Sequence, residues 1–140
     1  RRVAGRLEVA PEHTASHVLQ KMRKPEFEQF HRFLEKFNLA NRQSGKNQQL
    51  VPYFISSHPG CTMQDMKELS KLSHQNHLMT EQVQDFTPTP MTYSTAMYYL
   101  GFDPYTGDKV HVARDLREKR EQNGWFFTSK KPSVPPRKGK

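Results

Sequence analysis

The sequence LVPYFI at residues 50–55 is a continuous apolar run of strand length, bounded on both sides by residues typical of turns. An unbroken apolar run of this length indicates a strand buried on both faces, as strands are in parallel sheets. Pro52 lies inside the run and has no amide proton, so one hydrogen bond of the ladder is lost there. The run therefore predicts the central strand of an α/β fold.

Two further segments predict strands on either side of this run along the chain. Residues 6–10 alternate apolar and polar side chains and stop at Pro11, and residues 81–86 stop at two closely spaced prolines. Helical patterns separate the three strands, which gives the strand, helix, strand order of a parallel sheet with right-handed crossovers. Three such strands with flanking helices are too few for a closed barrel.

Five segments predict helices. They are residues 17–24, 25–39, 62–76, 93–100 and 114–122. In the second, four phenylalanines and Leu34 fall on one face, which predicts an aromatic core stripe rather than a ligand-stacking surface. Thr62 and Asp65 resemble a capping box at the start of the third helix, and Thr14 or Ser16 is expected to cap the first. The last helix alternates acids and bases and is expected to present a solvated face.

The loops that follow the three strands are the predicted functional region. They are residues 10–14, 56–62 and 87–91, and they are rich in His, Glu, Pro and Gly. In parallel sheets the carboxyl ends of the strands meet at one edge, where ligands bind. We therefore expect these three loops to lie together.

Three alternative hypotheses, in which these loops form a metal, catalytic or anion site by themselves, are less favoured. Glu12, His13 and His17 have a spacing compatible with metal ligands, but His13 is expected to lie outside the helix that carries His17. His58 with Cys61 could form a base and nucleophile pair, but no third residue orients them, so a packed cysteine is favoured. An anion at the helix start after residue 60 is physically sound and common.

The formal charge of +8 raises the possibility of a nucleic-acid partner. Residues 129–140 carry five cations and no acid, which leaves +3 for the rest of the chain. This proline-rich tail is expected to be disordered, since it has too little apolar surface to offset the entropy lost on ordering. The chain has neither an apolar run of membrane-spanning length nor a recognisable signal peptide in its first residues, which favours a cytoplasmic protein.

Four segments resemble successive parts of YgiQ-type radical S-adenosylmethionine (SAM) proteins. They are LEVAPEHT at residues 7–14, VPYFISSHPG at 51–60, QVQDFTPTPM at 82–91 and STAMYY at 94–99. The resemblance runs in consistent order over about residues 7–120. It implies that residues 1–91 are the C-terminal part of a partial (β/α) barrel, that residues 92–128 are a family-specific, irregular C-terminal extension, and that residues 129–140 are the disordered tail.

The resemblance also implies a function for the parent protein. Radical SAM proteins bind a [4Fe-4S] cluster through a CxxxCxxC motif and use it to cleave SAM and abstract hydrogen from a substrate. This chain has one cysteine, so it departs from that pattern and is expected to bind no cluster alone. Its implied partners are the rest of the parent chain and an unknown substrate. By position, the SAM or substrate contacts would be Glu12, His13, Ser56, His58, Gln84 and Thr87.

Overall fold

The computed structural model describes residues 5–78 and 83–128, which form three strands and five helices. The strands are β1 (Arg6–Glu12), β2 (Gln49–Ser56) and β3 (Val83–Asp85). The helices are α1 (Ser16–Met22), α2 (Phe27–Ser44), α3 (Met63–Gln75), α4 (Tyr93–Leu100) and α5 (Leu116–Thr128). The predicted tail and the first two residues of the predicted third strand lie outside the described residues.

The three strands form one parallel sheet in the order β1, β2, β3, so the predicted α/β architecture is confirmed. In the central strand Leu50, Val51 and Phe54 are buried, as the apolar run predicts. The register of β1 against β2 shifts between Val9 and Glu12, where the strand bulges. Glu12 has a positive φ of 68°, so the bulge turns the end of β1.

A small core surrounds Phe54 of β2. Phe54 is completely buried and packs with Val18 from α1, with Met66 and Leu69 from α3, and with Val83 from β3. Burying an apolar side chain of this size stabilises the fold by about 1.5–3 kcal/mol. This cluster joins β2 and β3 to helices α1 and α3.

The aromatic stripe of α2 is less buried than the sequence predicts. None of the helix's residues is buried, although Phe27, Phe30 and Leu34 pack partly against the core. Phe33 is 40% exposed and stacks on Phe37 with 6.3 Å between ring centroids. The helix also continues to Ser44, beyond the predicted end near residue 39. Periodicity identifies the apolar face of a helix, but the depth of its burial depends on the neighbouring elements.

Other helix boundaries follow the local signals closely. Thr62 and Asp65 form the predicted capping box of α3, and α4 spans the predicted residues. The first helix is instead preceded by Ala15 as its N-cap, with no side-chain cap, so the prediction that Thr14 or Ser16 caps it was wrong. Within the described ranges, no helix is both long and apolar enough to cross a membrane.

Helix α5 is solvated on one face only. Its residues pack against α3 and β3, and Gln122 is completely buried beneath the strand-end loops. Arg117 and Glu121 pair with each other on the exposed side at 3.1 Å. Charge alternation identified this outer face but gave no indication of the buried amide.

Candidate ligand-binding cleft at the strand ends

An open cleft of about 350 Å³ lies where the three strands end. Residues from the first two strand ends and from α1 form one wall, among them Glu12, Lys24, Ile55 and His58. The end of β3, the loop after it and the start of α4 form the other wall, which includes Gln84, Asp85, Phe86, Thr87, Thr89, Thr92 and Ser94. The three loops that the sequence groups together are therefore joined in space, as parallel topology requires.

Glu12 stands at the end of β1 and pairs with Lys24, which follows α1. The distance between the Lys24 Nζ and a Glu12 carboxylate oxygen is 3.3 Å. The Lys24 side chain is almost half exposed, so the pair is screened by solvent and contributes little to stability. Both charges remain accessible to a ligand in the cleft.

His58 is held in one tautomer by two hydrogen bonds. Its Nδ1–H donates to the Pro59 carbonyl at 2.8 Å, because a carbonyl can only accept. The Nε2 therefore accepts from the Ser94 hydroxyl, at 2.7 Å. Burial lowers the pKa of His58 to about 4, so the ring is neutral at physiological pH. Its edge meets the Phe86 ring at a centroid distance of 5.1 Å.

Ser56 lies beneath the cleft rather than in its lining. It is completely buried, and its hydroxyl is 2.5 Å from Asp85 Oδ1 and 3.4 Å from the Gln84 carbonyl oxygen. The residue joins the ends of β2 and β3. Ser56 is therefore placed to hold Asp85 rather than to contact a ligand.

His13 is also buried away from the cleft, where it contacts Cys61. The His13 Nδ1 accepts from the Ala15 amide at 3.0 Å, so its Nε2 carries the proton and donates to Cys61 Sγ at 3.4 Å. Burial lowers the pKa of His13 to about 4 and raises that of Cys61 to about 12. Both groups are therefore neutral, which agrees with the predicted packed cysteine. The histidine beside this cysteine follows β1 directly, and spacing along the chain does not reveal it.

The geometry does not support the metal site or the anion site considered from the sequence. The side chains of Glu12, His13 and His17 turn to different partners, and His17 Nε2 lies 3.2 Å from Asp65. No group of three possible metal ligands occurs in residues 5–78 and 83–128. At the start of α3, the Thr62 amide donates to Asp65 at 2.8 Å and the Gly60 amide donates to the His111 carbonyl at 2.7 Å. These amides are thus occupied by the protein itself.

The side-chain amides of two residues in α5 hold the strand-end loops, and the sequence did not predict either contact. Gln122 accepts from the Ser57 amide at 3.0 Å and donates to the Cys61 carbonyl at 3.4 Å. Asn123 donates to Asp85 Oδ1 at 3.1 Å and to the Val83 carbonyl at 3.2 Å. A lone Gln-Asn pair in a charged helix carries no signal of such contacts.

A second set of contacts attaches α1 to the start of α4. The Arg23 guanidinium lies 4.4 Å from the centroid of the Tyr93 ring and 5.0 Å from that of Tyr105. Tyr93 donates its hydroxyl proton to Asp103, and Lys21 approaches the same carboxylate at 3.8 Å. These contacts fix Tyr93, and with it the neighbouring Ser94 in the cleft wall.

The basic residues of α5 do not form a continuous cationic surface in the part of the chain that the structure describes. Arg117 pairs with Glu121, and the Lys119 ammonium lies 5.0 Å from the centroid of the Tyr98 ring. These pairings favour a structural role for the helix over phosphate binding.

The fold and the cleft define an α/β protein with a candidate ligand site at the carboxyl ends of its parallel strands. The sequence profile of a domain of unknown function, DUF3362, matches residues 81–132. The chain is 53% identical to a UPF0313 protein of Porphyromonas gingivalis over 129 residues, which cover 92% of the chain and 20% of the relative.

Two further UPF0313 proteins are similar. The one from Bacteroides thetaiotaomicron is 54% identical over 89% of the chain, and the one from Methanosarcina mazei is 50% identical over 86%. The chain covers 20% and 19% of these relatives. It therefore spans about a fifth of the length of the relatives it matches.

The cleft lies across the start of the DUF3362 match. The wall from Gln84 to Ser94 belongs to the matched residues, whereas Glu12, Lys24 and His58 precede them. The matched segment thus supplies one wall of the cleft and, through α5, the amides that hold its loops.

Proposed function

We propose that this chain is the C-terminal part of a YgiQ-type radical SAM enzyme and that its strand-end cleft forms part of the pocket for SAM and substrate. The observation that carries the proposal is that the segments resembling YgiQ-type proteins converge on this cleft. UPF0313 is the family name of YgiQ-type proteins, and the chain is about half identical to several of them. The activity belongs to the parent protein, not to these residues alone.

The residues of this chain do not fit an iron-sulfur cluster. Its one cysteine, Cys61, is completely buried, and burial raises its pKa to about 12. A cluster of this kind needs several thiolates, which this residue cannot supply. The cluster ligands would come from a CxxxCxxC motif elsewhere in the parent.

The cleft has features that suit an organic ligand. Ile55 and Phe86 give it apolar surface, while Glu12, Gln84 and Thr87 bring polar groups to its rim. Small-molecule sites combine these two kinds of surface. When bound to the parent, SAM would supply the radical chemistry, and these residues would position it or the substrate.

The remaining segments of the parent would adjoin β1. This strand is the edge of the described sheet, and a groove of about 180 Å³ lies between it and the aromatic face of α2. By contrast, Asn123 of α5 donates to a carbonyl of β3 at the opposite edge. An additional strand would therefore pair with β1, since an open strand edge readily pairs with another strand.

Two experiments on the parent protein test the proposal. The coding sequence upstream of residue 1 should contain a CxxxCxxC motif, and its absence would exclude radical SAM chemistry. The reconstituted parent should also produce 5′-deoxyadenosine from SAM under reducing conditions. Substituting Gln84→Ala should reduce that product, whereas Gln64→Ala on the exposed side of α3 should not.

A further inference from the structure

The hydroxyl groups of the cleft direct their protons into the protein. The Ser94 hydroxyl donates to His58 Nε2 at 2.7 Å, and those of Thr87 and Thr89 donate to backbone carbonyls at 3.4 Å. A hydroxyl has one proton and two lone pairs. In this arrangement each of these oxygens offers a ligand a hydrogen-bond acceptor.

The charged side chains of the cleft also favour a ligand that donates hydrogen bonds. Glu12 and Asp85 end β1 and β3, two strand spacings and thus roughly 10 Å apart. Lys24 is the cation among the described lining residues, and it already lies 3.3 Å from Glu12. Because His58 is neutral, these charged side chains sum to one negative charge.

Asp85 is also held in a fixed position. Its Oδ1 accepts from the Ser56 hydroxyl at 2.5 Å and from the Asn123 amide at 3.1 Å. Phe86 is next to it in the same wall, and aromatic rings attract cations. A fixed carboxylate beside an aromatic ring is a suitable environment for a positively charged group.

We propose that the cleft binds the cationic, hydrogen-bond-donating end of the substrate, such as a primary ammonium or a guanidinium group. This inference rests on the proposed function, because it names the substrate class of the same cleft. Asp85 would accept its N–H groups together with the hydroxyl oxygens of Thr87 and Ser94, and Glu12 would add to the negative charge of the cleft.

A set of three matched small molecules tests the charge preference. The 140-residue chain, labelled with ¹⁵N, is titrated separately with n-butylamine, 1-butanol and butyrate at pH 7. Butylamine should shift the amides of Gln84, Thr87 and Ser94 in a saturable way, 1-butanol should bind at least about tenfold more weakly, and butyrate should cause no cleft shifts. Equal binding of the three, or tighter binding of butyrate, would overturn the inference.

Charge-neutralising variants locate the binding groups. Asp85→Asn should weaken butylamine binding by about tenfold and Glu12→Gln by less, while Glu68→Gln, an equal charge change on the exposed side of α3, should leave it unchanged. If Glu68→Gln weakens binding as much as the cleft variants, the attraction is a general charge effect and the inference fails.

If SAM shifts the cleft amides but butylamine does not, this inference fails and the proposed function stands. If butylamine binds in the cleft and the parent lacks the cysteine motif, the proposed function fails and the charge preference stands.

Discussion

The Ser94 hydroxyl donates to His58 Nε2 at 2.7 Å and so joins the first turn of α4 to the loop after β2. Both residues line the cleft. The bond also fixes the His58 tautomer, because the other ring nitrogen donates to the Pro59 carbonyl. The geometry of the cleft thus depends on a contact between segments 36 residues apart.

Removal of this hydroxyl should destabilise the fold. Ser94→Ala leaves a buried imidazole nitrogen without its donor, which costs about 1–3 kcal/mol. Urea unfolding followed by circular dichroism measures the loss. Ser44→Ala removes an exposed hydroxyl at the end of α2 and should change stability by less than about 0.5 kcal/mol. Equal stability of the two variants would mean that the bond is not formed in solution.

Stability should decrease as the pH falls from about 6.5 to about 4. Burial lowers the pKa of both His13 and His58 from 6.5 to about 4, so in this range the unfolded chain binds protons that the folded chain does not. Each histidine contributes a slope of up to about 1.4 kcal/mol per pH unit, and its contribution is fully present above pH 6.5.

Urea unfolding at pH 7, 6 and 5 measures this slope. His58→Gln should reduce it, whereas His77→Gln, in the exposed turn after α3, should leave it as in the wild type. A pH-independent stability across this range would contradict the burial of the two neutral rings.

The Cys61 thiol should react very slowly in the folded chain. Its pKa is raised from 9.0 to about 12, which lowers the thiolate fraction at pH 8 by roughly a thousandfold. Alkylation by iodoacetamide, followed by mass spectrometry, should therefore be slow in buffer. It should be fast in about 8 M urea, where the chain is unfolded. Equal rates in the two conditions would show that the thiol is accessible in the folded chain and that its buried contact with His13 is not formed in solution.

Gln122 should contribute strongly to stability although it belongs to a charged helix. Gln122→Leu keeps the approximate volume but leaves the Ser57 amide and the Cys61 carbonyl without this partner, at a cost of about 2–4 kcal/mol. The matched variant Gln64→Leu, on the exposed side of α3, should have little effect on urea unfolding. A small effect of Gln122→Leu would mean that α5 does not hold the loops.

The features that could be predicted from sequence are those set by local patterns. The run at residues 50–55 identified the central strand, and Thr62 with Asp65 identified the start of α3. Parallel strand order then brought the three loops to one edge, because carboxyl ends in such sheets converge. These inferences need only propensity, periodicity and topology.

The features that could not be predicted depend on contacts between distant residues. His13 and Cys61 are 48 positions apart, and Gln122 meets Ser57 across 65. Neither pair has a signature in its own segment, since packing alone brings the residues together. Similarly, periodicity gave the apolar face of α2 but not the exposure of Phe33.

The central claim is that the strand-end cleft forms part of the pocket for SAM and substrate. A titration of the ¹⁵N-labelled chain with SAM, read as amide chemical shifts, tests this claim most directly. The account predicts saturable shifts at Glu12, Gln84 and Thr87, on both walls of the cleft, and none at Glu68 on the exposed side of α3. Shifts that are absent from these three residues, or that fall only on residues 129–140, would contradict it.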